Sequence, residues 1–428
     1  MKAVVSPSKL EGIITAPASK SSMQRACAAA LIRNGETVLY NPGTSNDDKA
    51  ALNIITQLGA TYEAHGDKII IRSSGVKAVG NTINCHESGL SIRMFTSVAA
   101  LSDKKITVIG SGSLSKRPMD FFDEVLPQLA VAVKTNEGYL PLEITGPLQP
   151  KNITVDGSLS SQYLTGLLFA YSAANANNVT IKVKNLSSRP YVELTLKVLE
   201  AHGLKVPENK NYEEFYFSGS TVNNRQLTVN YTVEGDWSGG AFLLVGSAVA
   251  GNVTVKGLDL SSTQADKAVL QALMQAGANI SIREEEMEIK ESKLKAFHFN
   301  ATDCPDLFPP LVALASYCEG TTVIEGANRL THKESNRALT LQQEFGKMGV
   351  QIKLQDDLML IEGSSSQVKG GEVSSHNDHR IAMATAVAGL KADKDLEIVG
   401  ADAVDKSYPQ FWDHIKSLGA KVSLTDNK

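Results

Sequence analysis

The residue types able to do chemistry gather at the expected starts of buried helices. A helix N-terminus presents free N–H groups and positive potential, so it suits anions. PASKSSMQR (17–25) sets Lys20, Ser21 and Arg25 in the first turns of one such helix. ESGLSIR (87–93) brings Gly89, which allows close backbone approach, and SKRPMD (115–120) brings Lys116 and Arg117 before a loop-fixing proline. SLSSQYL (158–164) supplies the neutral donors Ser160, Ser161 and Gln162, and SSRPYVEL (187–194) contains Ser188. CPDLFPPL (304–311) places Asp306 before a helix in an apolar setting. HKESNR (332–337) puts Lys333 and Arg337 four apart, on one helical face beside Glu334. NDHR (377–380) ends on Arg380, and DKSYPQF (405–411) carries Lys406.

Each stretch alone has a plain structural explanation. Serines and Asp306 can cap helices, and cations in SKRPMD can be solvated. Jointly they place cations and hydroxyls at equivalent points of related modules. Arg and Lys bind phosphate and carboxylate strongly, Arg often in bidentate fashion. Such a set with the carboxylates Asp306 and Glu334 suits proton transfer on small, multiply anionic reactants. The chemistry needs no metal, and no cofactor is expected.

Repeats supply the elements that must position these residues. A phrase ending in Leu-Gly-Ala or a variant recurs at Gly59, Gly203, Gly277, Gly349 and Gly419, with a spacing of about seventy residues. One gap is doubled, and its missing copy is PQLAVAV near Leu129, where the glycine is absent. A β-branched strand phrase runs in step: ETVLY, KITVI, NVTIKV, NVTVKG, TTVIEG and DLEIVG. Before it come helices rich in small residues, such as MQRACAAALI and GGAFLLVGSAVA, apolar nearly all round and therefore buried. The helices that end in Leu-Gly-Ala are mixed in polarity and should face solvent, with glycine as C-cap. Each module reads as buried helix, strand, loop, outer helix, then one or two strands. Six modules in an α/β chain of 428 residues suggest two domains of three. The expected division is 13–230 against 1–12 plus 231–428.

Bulk composition narrows the function. Hydrophobic residues make up 42% and charged residues 21%, as in ordinary globular proteins. The formal net charge of −4 provides no global basic field for nucleic acid. Four cysteines without C-x-x-C pairing suggest free thiols in a reducing compartment. No apolar run has the length of a signal peptide or membrane span, so the expected location is the cytoplasm and no membrane partner is expected.

With these residues in order, the chain resembles the 5-enolpyruvylshikimate-3-phosphate synthase family from end to end. The most specific pieces are PASKSSMQR, SKRPMD, SSQYLTGLL, SRPY, VEGDWS, HKESNR and NDHRIAM. The resemblance implies two domains, each three copies of a βαβαββ unit, the inside-out α/β barrel of enolpyruvyl transferases. It implies transfer of the enolpyruvyl group of phosphoenolpyruvate to the 5-hydroxyl of shikimate 3-phosphate, in chorismate and aromatic amino acid biosynthesis. Lys20, Ser21, Arg25, Ser160, Ser161, Gln162, Ser188, Asp306 and Lys333 would then hold shikimate 3-phosphate. Lys20, Gly89, Arg117, Gln162, Arg337, Arg380 and Lys406 would hold phosphoenolpyruvate. Asp306 would take the hydroxyl proton, while Glu334, Lys333 and Lys20 are candidates to protonate the methylene carbon. The resemblance further implies a monomer and a glyphosate target with Gly89 kept.

One position departs from the pattern. Many members carry Asn-Ala-Gly where this chain has Glu87, Ser88 and Gly89. Glu87 is expected to point away or to pair with a cation such as Arg93. Two other readings are set against this one. UDP-N-acetylglucosamine enolpyruvyl transferase shares the fold but usually carries a reactive cysteine in the loop matching SGSLSKRP, and this chain has no cysteine between Cys85 and Cys304. A non-catalytic protein binding anionic metabolites would account for the cations but not for the paired carboxylates.

Overall fold

The computed structural model describes residues 1–219, 227–283, 286–331, 333–363 and 368–426; His332 of HKESNR lies outside them. Among the described residues, 24 strands form six four-stranded sheets of one design. The first strand of each sheet is parallel to the second, and the next two strands continue antiparallel. In one sheet Thr82–Asn84 runs parallel to Lys105–Ile109, which pairs antiparallel with Tyr139–Thr145 and that with Ala132–Asn136. The other five repeat the pattern. A parallel pair needs a long crossover, and in four of the sheets it is a buried helix.

The chain divides into two compact units, Lys20–Val233 and Met1–Ser19 with Glu234–Lys428. Each holds three sheets. In the first unit the strand Thr228–Thr232 returns to lie parallel to Asn34–Tyr40. In the second, Lys2–Ser6 sits between Leu396–Val399 and Lys421–Thr425. The N-terminal stretch of the second unit runs to Ser19 rather than stopping at residue 12. Leu10–Thr15 adds in parallel to Gly251–Lys256, and the Ala16 and Ser19 amides donate to the Lys256 and Glu234 carbonyls at 2.9 and 2.8 Å. The later crossing likewise falls after Val233, not 230, because Thr228–Thr232 belongs to the first unit's sheet.

The cores are built from the helices expected to be apolar all round. In the first unit these are Lys20–Ile32, Gly89–Ala99 and Ser161–Ala173. In the second they are Trp237–Ala250, Phe308–Ala315 and His379–Gly389, and every residue of all three is buried. Small side chains let the helices approach. A Cβ at Gly166 would come within 2.7 Å of the Met94 carbonyl oxygen, so the helix Ser161–Ala173 rests on the backbone of Gly89–Ala99.

The outer helices end as the repeat phrase requires. Gly59, Gly203, Gly277, Gly349 and Gly419 all have positive φ, between 63° and 107°. At the missing copy the same left-handed position is taken by Ala130, with φ 65° and ψ 25°. The geometry of the module is kept where its glycine is not, at a backbone cost of about 1 kcal/mol.

Candidate active site

The nine chemically equipped stretches do not all open buried helices. SKRPMD, SSRPYVEL, HKESNR and DKSYPQF precede the outer helices Asp120–Val125, Arg189–Ala201, Arg337–Lys347 and Phe411–Ser417. The sheet design explains the correction. Where two parallel strands belong to one module, their C-terminal ends lie at the same edge, so the buried helix after the first and the outer helix after the second both start there. Four modules pair their stretches in this way: 87–93 with 115–120, 158–164 with 187–194, 304–311 with 332–337, and 377–380 with 405–411.

In the second unit the expected residues converge on one ion cluster. Asp306 does not cap a helix. It lies in the one-turn 3-10 helix Pro305–Leu307, and its carboxylate accepts from Lys333 Nζ at 3.2 Å, Arg337 Nη1 at 2.7 Å and Arg380 Nη2 at 3.0 Å. Arg337 is fully buried and also pairs with Glu334 and with Asp378, the latter at 2.8 Å from Nε. Asp378 caps the helix His379–Gly389 by accepting from the Arg380 amide at 3.0 Å. Lys406 joins through the Asn377 carbonyl, 2.7 Å from Nζ. The cluster thus balances Lys333, Arg337 and Arg380 against Asp306, Glu334 and Asp378.

Charge sets the protonation of this cluster. Burial alone would raise the Asp306 carboxyl, but Arg380, Lys333 and Arg337 outweigh it and hold it well below the usual carboxylate range. Burial lowers the Lys333 ammonium, with Arg337 adding to the effect and Asp306 opposing it. Burial also disfavours the Arg337 guanidinium, yet Asp378, Glu334 and Asp306 more than restore it. A further carboxyl, Asp266, was not foreseen. It accepts from the Ser238 hydroxyl, and burial followed by the Asp306 charge pushes it up to about 7.

In the first unit three buried helices are tied together at their starts. Gln24 Oε1 accepts from the Ser88 and Ser91 hydroxyls at 3.1 and 2.9 Å. Arg25, also buried, donates from Nε to Thr195 Oγ1 at 3.0 Å and from Nη1 to the Ser21 carbonyl at 2.9 Å; Thr195 in turn meets Thr165 at 3.1 Å. Lys20 pairs with Asp47 at 2.9 Å. Ser160 is the N-cap of Ser161–Ala173, accepting from the Gln162 amide at 3.3 Å, and Ser161 is buried beside it. Ser188 stands at the start of Arg189–Ala201 with φ 56°, a left-handed conformation uncommon for serine.

A second group of cations surrounds the start of the helix Gly89–Ala99. Arg93 donates to Gln162 Oε1 at 2.9 Å and lies over the Tyr163 ring at 5.3 Å. Arg117 is buried and donates to Ser113 Oγ at 3.1 Å. A Cβ at Gly89 would fall 2.6 Å from Arg117 Nη1, so glycine there admits the guanidinium. The Glu87 carboxyl packs against Gly112 in the turn that leads to Arg117.

Sequence reasoning missed Asp47, Asp266 and the role of Asp378. Asp47 sits in SNDD, which reads as an ordinary helix cap, and Asp266 in TQADK, where Lys267 beside it reads as an ordinary surface pair. The signal that could have found both is the module itself, since 44–48 and 264–266 occupy the outer-helix starts of the first and fourth modules. Among the described residues no group of three His, Cys, Asp or Glu side chains could hold a metal ion, and no helix is long and apolar enough to cross a membrane. All four cysteines are free and buried, and burial raises each thiol, Cys318 to about 12.

The family model for EPSP synthase (3-phosphoshikimate 1-carboxyvinyltransferase) matches residues 4–415. The chain is 36% identical over 426 residues to the 3-phosphoshikimate 1-carboxyvinyltransferase of Clostridium novyi, covering 97% of each. It is 34% identical over 427 residues to that of Methanocorpusculum labreanum, covering 99% of each. Among solved structures, EPSP synthase from Acinetobacter baumannii superposes with a TM-score of 0.81 at 27% identity, over 99% of this chain and 100% of that one. The enolpyruvyl transferase NikO from Streptomyces tendae, at 15% identity and a TM-score of 0.77 over 99% and 98%, shares the fold. The two-unit α/β architecture and the long match place the chain in one family: it belongs to the EPSP synthases.

Proposed function

We propose that the chain transfers the enolpyruvyl group of phosphoenolpyruvate to the 5-hydroxyl of shikimate 3-phosphate, releasing phosphate. The observation that carries the chemistry is Asp306, a carboxylate clamped by Lys333, Arg337 and Arg380. The three cations are the groups an incoming anion needs. An anion taking up Arg337 and Arg380 loosens their hold on Asp306 and makes it a stronger base just as substrate arrives.

In this reading Lys20, Ser21, Arg25, Ser160, Ser161, Gln162, Ser188 and Lys333 hold shikimate 3-phosphate. Lys20, Gly89, Arg117, Gln162, Arg337, Arg380 and Lys406 hold phosphoenolpyruvate. Asp306 accepts the proton of the 5-hydroxyl as its oxygen bonds to C2 of phosphoenolpyruvate. C3 gains a proton from Glu334, Lys333 or Lys20. The tetrahedral adduct then returns a C3 proton to the group that supplied one and releases phosphate, which restores the double bond. Fixed cations stabilise the charge that develops at the phosphate and carboxylate without reorganising, usually the largest catalytic contribution. The buried, raised thiols speak against a cysteine-based variant of the chemistry. The enzyme works as a cytoplasmic monomer in this proposal, which sedimentation of the purified protein checks.

The test is phosphate release from phosphoenolpyruvate, with shikimate 3-phosphate and separately with UDP-N-acetylglucosamine. Release with shikimate 3-phosphate alone is expected. Release only with the nucleotide sugar would overturn the reading, and binding of both shikimate-pathway reactants without turnover would make the chain a binding protein.

A further inference from the structure

Lys20 is held by Asp47, the second residue of the helix Asn46–Gln57. A reciprocal cap fixes that first turn. The Asp48 amide donates to Ser45 Oγ at 3.2 Å, while Asp48 Oδ2 accepts from the Ser45 amide at 3.0 Å and from its hydroxyl at 2.6 Å. Such boxes normally leave their carboxylate in water. Here Ser45 and Asp48 are both buried, and Asp48 Oδ1 is buried with no hydrogen-bond partner. A buried carboxyl oxygen without a donor is costly as an anion and cheap as a protonated acid.

We propose that Asp48 is a positioning residue for Lys20, acting through the cap that fixes Asp47. The proposal rests on the reading of Lys20 as a substrate-binding group. The groups that face Asp48 are Asp47 on its own helix, and Lys20 and Cys27 on the helix Lys20–Ile32 packed against it. Burial, which outweighs the two Ser45 hydrogen bonds and the Lys20 charge, pushes Asp48 up to about 7, with the Asp47 charge adding to the rise. Cys27 stays a neutral thiol because burial raises it far above that range. Below about pH 7 a single carboxylate, Asp47, therefore faces Lys20. Above it two adjacent carboxylates hold one ammonium, and a substrate anion competes for Lys20 less well.

The experiment compares wild type with Asp48→Asn and Asp48→Ala from about pH 5.5 to about 9. Asn keeps an oxygen for Ser45 but cannot ionise, whereas Ala removes the cap. One readout is kcat/KM for phosphoenolpyruvate. The other is the acylation rate of Lys20 by acetic anhydride in the substrate-free protein, followed by mass spectrometry. Wild type and Asp48→Asn should agree at the acid end, and Asp48→Asn should lose the inflection near neutrality and label Lys20 roughly fivefold faster at the alkaline end. Asp48→Ala should lower kcat/KM about tenfold at the acid end, where wild-type Asp48 carries no charge, and should likewise lack the inflection. The same inflection in Asp48→Asn, or wild-type labelling and kcat/KM in a folded Asp48→Ala, overturns the proposal. If Asp48→Ala does not fold, Asp48→Asn decides alone. Wild-type protein without phosphate release would refute the proposed reaction while leaving the labelling comparison decisive for Asp48.

Discussion

Replacing Asp306 by asparagine should separate turnover from binding in opposite directions. Asp306, Glu334 and Asp378 balance Lys333, Arg337 and Arg380, so the substitution leaves the cluster with one uncompensated positive charge. Two unit charges about 4 Å apart interact by about 4 kcal/mol at an effective dielectric constant near 20. The Asp306 side chain is 26% exposed, which calls for a discount for solvent screening. A gain of about 1–2 kcal/mol for an incoming anion remains, or roughly a 5- to 30-fold lower KM for phosphoenolpyruvate. Loss of the general base should cut kcat ~100-fold or more. Asparagine still offers an oxygen to Arg337, so folding should survive better than with alanine. Steady-state phosphate release, with each substrate varied in turn, reads both quantities. A kcat within about threefold of wild type would remove Asp306 as the base. A KM for phosphoenolpyruvate that rises would refute the idea that the carboxylate and the substrate compete for the same cations.

Three further outcomes follow from single positions. Ala130→Gly should stabilise the protein by about 0.5–1 kcal/mol, because the residue already occupies left-handed backbone; an unchanged denaturation midpoint would contradict this. Gly89→Ala should raise the KM for phosphoenolpyruvate roughly tenfold, since its Cβ would displace Arg117, and equal KM values would show that this guanidinium is not a ligand. His202 is buried and donates from Nδ1 to the Val198 carbonyl at 2.8 Å; burial, with Arg33 adding, lowers it to about 4. Its folded value lies below its unfolded value, so its contribution is present above about pH 6.5 and lost as pH falls through about 4. Over that window the loss amounts to about 3 kcal/mol, which His202→Gln should abolish in a pH series of urea melts. Asp48, with a raised value, pulls the other way over part of the same range, so the difference between variant and wild type is the quantity to read.

The fold was legible because each module repeats two physical signals. An all-apolar helix must be buried, and a left-handed stop must end each outer helix. The second signal survived even where glycine was replaced, at Ala130. The cations and Asp306 could be singled out because stretches with ordinary structural uses one by one recur at equivalent points of related modules. The countercharges were not. Asp47 and Asp48 look like any exposed capping box, and Asp378 looks like any N-cap, because one-dimensional spacing does not say which carboxylates a fold buries. Each is set apart only by what the sheets place next to it. Asp47 meets Lys20 across two helices of one module, and Asp378 meets Arg337 from a neighbouring module. Buried cations demand such partners, since an unpaired buried charge is untenable. Four lysines and arginines expected in the second unit therefore already implied that carboxylates or carbonyls would converge on them. The parallel pair of strands in each module says where to look: at the start of whichever helix, buried or outer, had no chemistry assigned to it. That rule would have led to 44–48 and to Asp266 from the sequence alone.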